Sequence, residues 1–267
     1  MKRIASLLLV ALAIMWCGTG YGRSYTPDIT AFYKVDPDNK MTVPDISNFR
    51  GYAGELAVAM APKFQGPSAT LGSMGYELTL TVGLADISSD TYWRGAARDP
   101  GSLLVTNQIR FRKGLPYSFE LGGYVTHLYQ SDLWAIGLEV GWALHEGFRY
   151  FPDIGVLSSV STVLGSADLA MLEVNVTPMV SKSFSVAGLF TLEPYAGYNM
   201  IYINASSHRV AILDANQKLP EAIGMQNIFR HRGVLGLNSV ITYLTLGFEV
   251  TLGVDQRTYG FKVGTAF

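Results

Sequence analysis

The residues best placed to do chemistry in this chain are single charges set into apolar, alternating stretches. Glu77 falls in SMGYELTLTVGLA, Glu139 in LWAIGLEVGWALH and Glu249 in TYLTLGFEVTLGV. Each keeps step with Gly, Ala and Thr, and is out of step with the large apolar residues. The same phase collects Arg110, Arg112, Glu120, Glu173, Glu193 and Lys262. Buried charges must pair, because an unpaired one is strongly destabilising. These groups can therefore neutralise one another and fill an interior. They can also line a narrow polar path, where the excess of Glu over Arg and Lys favours cations. A third chemistry needs an acid beside a histidine to activate water. Asp86, Asp90, His127 and Asp132 have the residue types for it but no motif spacing. The four histidines (127, 145, 208 and 231) lack metal-ligand spacing, so no metal is expected. No glycine pattern sits between a strand and a helix to cradle a phosphate, so no cofactor is expected.

The elements that must position these charges are strands. In LWAIGLEVGWALH, Trp134, Ile136, Leu138, Val140, Trp142 and Leu144 share one face. Ala135, Gly137, Glu139, Gly141, Ala143 and His145 share the other. Strict alternation of this kind is a strand signal. A soluble sandwich would turn a richly charged face to water. Here the second face is small and sparsely charged, which suits a narrow barrel lumen, while the apolar face suits lipid. Ten such segments are expected, near 73–85, 102–112, 117–129, 132–144, 154–165, 168–180, 184–204, 229–236, 240–254 and 257–267. Short turns are expected at 113–116, 181–183 and 237–239, a longer link at 145–153, and long external loops at 86–101 and 206–229.

Composition agrees with that reading. The chain is 49% hydrophobic and only 15% charged, where a soluble domain carries about a quarter charged residues. The net charge of −1 gives no footing for nucleic-acid binding. Lys2 and Arg3, the apolar run Ile4 to Trp16 and the glycines after it have the layout of a secretory signal peptide over 1–22. Cys17 lies inside that segment. Residues 23–70 read as an extension. Within it, Phe49, Tyr52, Leu56 and Met60 recur at helical spacing after a capping Ser47, so a short helix is expected over 48–61. The competing reading is a strand, paired near ITAFYKV, which would make twelve.

With the signal peptide, the ten alternating segments and the closing YGFKVGTAF on the page, the chain resembles the outer-membrane β-barrel proteins of Gram-negative bacteria from about residue 70 onward. The resemblance implies that Tyr259, Phe261, Val263 and Phe267 form an interface surface read by the barrel-assembly machinery. Lys262 and Thr265 depart from that family's closing motif. Outer-membrane lipid is the expected partner. The basic run FRHR (229–232) is expected at the external mouth, where it could meet lipopolysaccharide phosphates. Family enzymes place an acid and histidine set at the rim, or a Ser–His pair such as SSHR (206–209) offers. Neither match is close, and no enzyme is expected.

The resulting expectation is an all-β, antiparallel, up-and-down transmembrane barrel over 71–267, with 23–70 as an extension that could plug it. The function expected first is a narrow channel for small solutes. The alternatives are a closed structural or adhesive barrel acting through its loops, and a hydrolase with a rim site.

Overall fold

The computed structural model describes residues 24–37, 42–207 and 222–267. The signal peptide expected over 1–22, Cys17 and His208 lie outside the described residues. A short 3-10 turn at Ile29–Phe32 leads into β1 (Tyr33–Val35), which pairs with β2 (Thr42–Pro44). The helix α1 (Ile46–Met60) follows. Then come β3 (Tyr76–Asp86), β4 (Leu103–Leu115), β5 (Phe119–Leu128), β6 (Trp134–His145), β7 (Asp153–Leu164) and β8 (Leu169–Ser181). After these come β9 (Phe184–Val186), β10 (Phe190–Ser207), β11 (Gln226–Ile241), β12 (Leu244–Gly253) and β13 (Arg257–Ala266).

The sheet closes. Strands β3 to β8 pair antiparallel in sequence order, β8 pairs with β10, and β10 to β13 continue the run. β13 then pairs with β3, from Thr258 opposite Ala85 to Ala266 opposite Glu77. The wall therefore has ten strands, with β9 folded back on the first residues of β10. The strand count follows the alternation in the sequence, because each strand buries one face and exposes the other. On β6 the outward row Trp134, Ile136, Leu138, Val140 and Trp142 is 38–64% exposed, while Ala135 and Glu139 are at 0% and 2%. A one-residue slip would put Glu139 outside and Leu138 inside, so the register is strongly fixed.

The barrel has two different ends. Residues 24–37 and the connection 87–102 lie together at one, the loop end: Ser24 exchanges backbone hydrogen bonds with Arg98, and Asp28 N donates to Ala96 O. The other, the turn end, carries Phe267 and the tight links at 116–118 and 242–243.

Local details differ from the sequence expectation in four places. The helix is capped by Asp45, whose carboxylate accepts from Asn48 N at 3.3 Å, and not by Ser47. ITAFYKV supplies β1 to a small ribbon outside the wall, so no twelfth strand forms. LNS (237–239) lies inside β11, and the turn falls at Thr242–Tyr243, with Thr242 at φ 57°. The segment expected as one strand from 184 is divided, because Ala187 and Gly188 take positive φ and fold β9 onto β10.

Candidate functional site

Among the described residues, the chain gathers its buried polar groups in the lumen, and the lumen is occupied. After α1, residues 61–75 run on through the barrel to the turn end, where β3 begins. The wall facing this plug is built in two zones. Toward the loop end the inward residues are mostly apolar: Ala85, Leu104, Leu128, Ala135, Val163, Ile201, Ile203 and Ile228, all buried, with Glu173 and Arg232 set among them. Toward the turn end they are Glu77, Arg110, Arg112, Glu120, Glu139, Glu249 and Lys262, also buried.

The plug changes conformation where the wall changes polarity. In the apolar zone it is helical. A helix satisfies its own backbone polar groups and needs only side-chain packing from the wall. α1 is buried on every side from Gly51 to Met60, as a helix must be when it has no polar face. Its small residues let it fit: a Cβ at Gly51 would run into the Tyr92 ring, and one at Gly54 into the Arg230 guanidinium. Its own Phe49 and Tyr52 join Tyr25, Phe32 and Trp93 in a chain of rings with centroids 4.6–5.9 Å apart. Glu55 ties the helix to the loop 87–102, accepting from Ser88 N at 3.0 Å and from Trp93 Nε1 at 2.7 Å.

Pro62 lacks an N–H and cannot continue the helix. Lys63 caps the exposed carbonyls, its Nζ donating to Val58 O, Ala59 O and Ala61 O at 3.1, 2.9 and 3.1 Å. A cation there also complements the helix dipole. From this point the backbone is irregular, with Phe64 at φ 59°, and its donors must find partners. The charged zone supplies them. Glu249 accepts from Phe64 N at 2.9 Å and from Gln65 N and Tyr195 Oη at 2.8 and 2.9 Å. Arg110 donates to Phe64 O and, through Nε, to Glu139 at 2.6 Å. Lower down, Ser68 N donates to Ser181 Oγ at 3.0 Å, Thr70 N to Glu146 at 2.7 Å and Leu71 N to Glu120 at 2.6 Å.

The wall charges also pair among themselves. Arg112 donates to Glu77 through Nε at 2.7 Å and through Nη2, and to Glu120 through Nη1 at 2.9 Å. Lys262 Nζ reaches the other Glu77 oxygen at 3.2 Å. Glu173 is buried and accepts from Asn175 Nδ2 at 2.6 Å. Glu193 is only half-buried at the mouth and accepts from Asn238 Nδ2 at 2.6 Å and Ser183 Oγ at 3.1 Å.

Outside, the ten strands present a belt of large apolar residues that water would not tolerate at this extent. Aromatic pairs mark its turn-end margin: Phe119 stacks on Trp142 at 5.4 Å and Tyr76 on Phe267 at 5.9 Å. Tyr202 and Phe229 mark the other, at 5.1 Å. A closed wall with no open edge and an apolar belt between aromatic margins is a membrane-spanning design. The chain has the fold of an integral, membrane-spanning β-barrel.

No family model and no curated protein matches the chain. Among solved structures the barrel is similar to Ail, the attachment invasion locus protein of Yersinia pestis, at 8% identity and a TM-score of 0.27, over 73% of this chain and 99% of that one. It is similar to the N-terminal β-barrel domain of Pseudomonas aeruginosa OprF at 12% and 0.34, over 73% and 99%. It is similar to the translocator domain of the autotransporter NalP from Neisseria meningitidis at 9% and 0.37, over 83% and 94%.

The remaining sequence candidates are scattered over the barrel. Phe261, Val263 and Phe267 face outward at 52%, 46% and 68% exposure, with Tyr259 in the same row. The residues weighed for hydrolysis are engaged separately. Asp132 accepts from Thr26 Oγ1 at 3.2 Å, and His127 lies against Trp134 with Nε2 3.1 Å from Ser131 O. No group of three metal-capable side chains occurs among the described residues. His145 leaves the lumen row at a bulge after Ala143 and stacks on Phe148 at 4.2 Å. FRHR does not form one external basic patch: Phe229 and His231 point out, while Arg230 and Arg232 point in.

Sequence reasoning missed Glu55, Lys63, Gln65, Tyr195 and Arg232. Alternation was a sufficient signal for Tyr195 and Arg232, which share the inward phase of their strands. The plug residues carried no such signal, because their partners come from distant strands.

Proposed function

We propose that the protein is a closed outer-membrane barrel that acts through its loop end, and not a steadily conducting pore. The observation that carries this is the match between plug and wall: helix against the mostly apolar zone, non-helical backbone against the charged zone. The plug completes the hydrogen bonding of the wall and so behaves as a resident part of it. Two cavities beside it measure about 120 and 20 Å³. At the loop end, residues 24–37, β1, β2 and the loop 87–102 form one ordered cap, a surface suited to adhesion or to a structural partner. The reading is non-catalytic, since Asp132 and His127 are engaged apart. Contact of the belt with lipopolysaccharide, and reading of Phe267 and its row by the assembly machinery, belong to the same proposal.

One observation favours a second reading. The charged zone would become a polar, water-filled path if residues 61–75 withdrew, so a plug-gated channel ranks next. Planar-bilayer conductance of the full chain, and of the chain cut after residue 75 with the plug washed out, separates them. The closed barrel predicts silence from the intact protein and steps only from the cut one. Steady steps from the intact protein would sink it.

A further inference from the structure

β11 places two arginines in one phase, and both reach the lumen beside α1. Arg232 is 2% exposed. Its Nε donates to Asn199 Oδ1 at 2.7 Å and its Nη1 lies 3.4 Å from Val58 O, but its Nη2 has no hydrogen-bond partner among the described residues. Arg230 lies over Gly54, in space that a Cβ would fill. Its ion pair to Asp255 is loose at 3.6 Å, against about 2.7–2.9 Å for a charge-assisted hydrogen bond. Both arginines line a cavity of about 120 Å³, together with Glu55 and Gln256. Its outer margin, Val254 and Asp255, is exposed.

A buried guanidinium N–H without an acceptor is costly, and Arg232, which lines the recess, is one acceptor short. Glu173 and Glu249 lie near enough for their charges to act on Arg232, but Glu173 accepts from Asn175 Nδ2 and Glu249 from Phe64 N, Gln65 N and Tyr195 Oη. Glu55 is already engaged by Ser88 N and Trp93 Nε1. Asp255 is 61% exposed and holds Arg230 at the rim. Gln256 Nε2 is turned to Glu55 O at 3.2 Å. Planar guanidinium forks match the oxygens of carboxylate and phosphate, and the cavity has room for one such group.

We propose that this recess is a binding site for a small oxyanion, a phosphate or carboxylate group held between Arg230 and Arg232 and reached from the loop end. The group could belong to a soluble solute or to a lipopolysaccharide headgroup. The proposal stands whether or not the barrel conducts.

Isothermal titration of the refolded full chain in detergent with sodium phosphate, against sodium chloride at matched ionic strength, tests it. Saturable phosphate binding is expected. Arg230→Gln and Arg232→Gln should each weaken it about tenfold or more, the loss of one charged hydrogen bond. Arg230 is partly exposed, so its variant remains informative if Arg232→Gln fails to refold. No saturable heat with phosphate or acetate, or undiminished affinity in Arg230→Gln, overturns the site. Repeating the titration in nanodiscs with and without lipopolysaccharide assigns the source. Competition by the lipid marks its headgroup as the natural occupant, and unchanged affinity marks a soluble one.

Discussion

Replacing Glu249 with alanine should loosen the plug more than any other single wall substitution. The carboxylate is 1% exposed and accepts three hydrogen bonds, from Phe64 N, Gln65 N and Tyr195 Oη, at 2.8–2.9 Å. Two of those donors are plug backbone, so the residue holds the plug at the point where it leaves the helix. Each buried donor left without a partner costs about 1–3 kcal/mol. Water entering the space vacated by the side chain would recover part of that, so a net loss of about 3 kcal/mol is expected. For a chain of this size that corresponds to a fall in Tm of roughly 6–12 °C. The assay is thermal unfolding of the refolded barrel in detergent, run beside protease digestion of the native protein. Residues 61–75 should become cleavable in Glu249→Ala while the wall stays resistant. Glu193→Ala is the control, because Glu193 is half-buried and makes its two hydrogen bonds at the mouth. If Glu249→Ala melts within about 2 °C of the parent and its plug stays protected, the account of wall and plug as one hydrogen-bonded unit is wrong.

Other perturbations probe separate parts of the argument. Arg112→Ala removes the cation shared by Glu77 and Glu120 and leaves both buried carboxylates short of charge, a loss of about 3–5 kcal/mol readable as a lower urea midpoint for refolding into vesicles. Leu138→Arg puts a charge at the most exposed position of the outward row on β6. It should cost about 2–4 kcal/mol in lipid and much less in a soluble protein, so the same urea titration tests the membrane assignment. Gly54→Leu would push into the Arg230 guanidinium, and should make residues 46–60 protease-sensitive and lower the melting temperature of the barrel, because the apolar wall residues that pack on α1 lose their cover.

The wall was legible because a strand advertises both faces at once. In β6 every second residue from Trp134 to Leu144 is large and apolar, and the barrel simply obeys that phase. Strand ends were less legible. LNS looks like a turn, but Asn238 lies on the inward face, where its side chain donates to Glu193, and the chain turns only at Thr242. The helix was legible from Phe49, Tyr52, Leu56 and Met60, although its cap was not, since Asp45 and Ser47 are both competent N-caps. The lumen contacts were half legible. Glu77, Arg112 and Glu120 share a level on adjacent strands, so strand direction alone brings them near. Glu249 to Gln65 was not legible, because the two are 184 residues apart and one lies on a segment with no periodicity.

The two-zone lumen also explains why the plug cannot be read as a separate element added to a finished barrel. Remove it, and the apolar zone would expose Leu104, Leu128, Ile201 and Ile203 to water in the mouth, while Glu249 and Arg110 would lose their backbone partners. Remove the polar wall groups instead, and the backbone N–H groups of Phe64, Gln65, Ser68, Thr70 and Leu71 would lose their partners, which is costly wherever they stay buried. Each half therefore supplies what the other lacks. A lumen designed for steady conduction has no need of an apolar inner zone, whereas one designed to hold a helix does. That asymmetry of the wall residues themselves, more than the presence of α1, is why the closed barrel ranks ahead of the open pore.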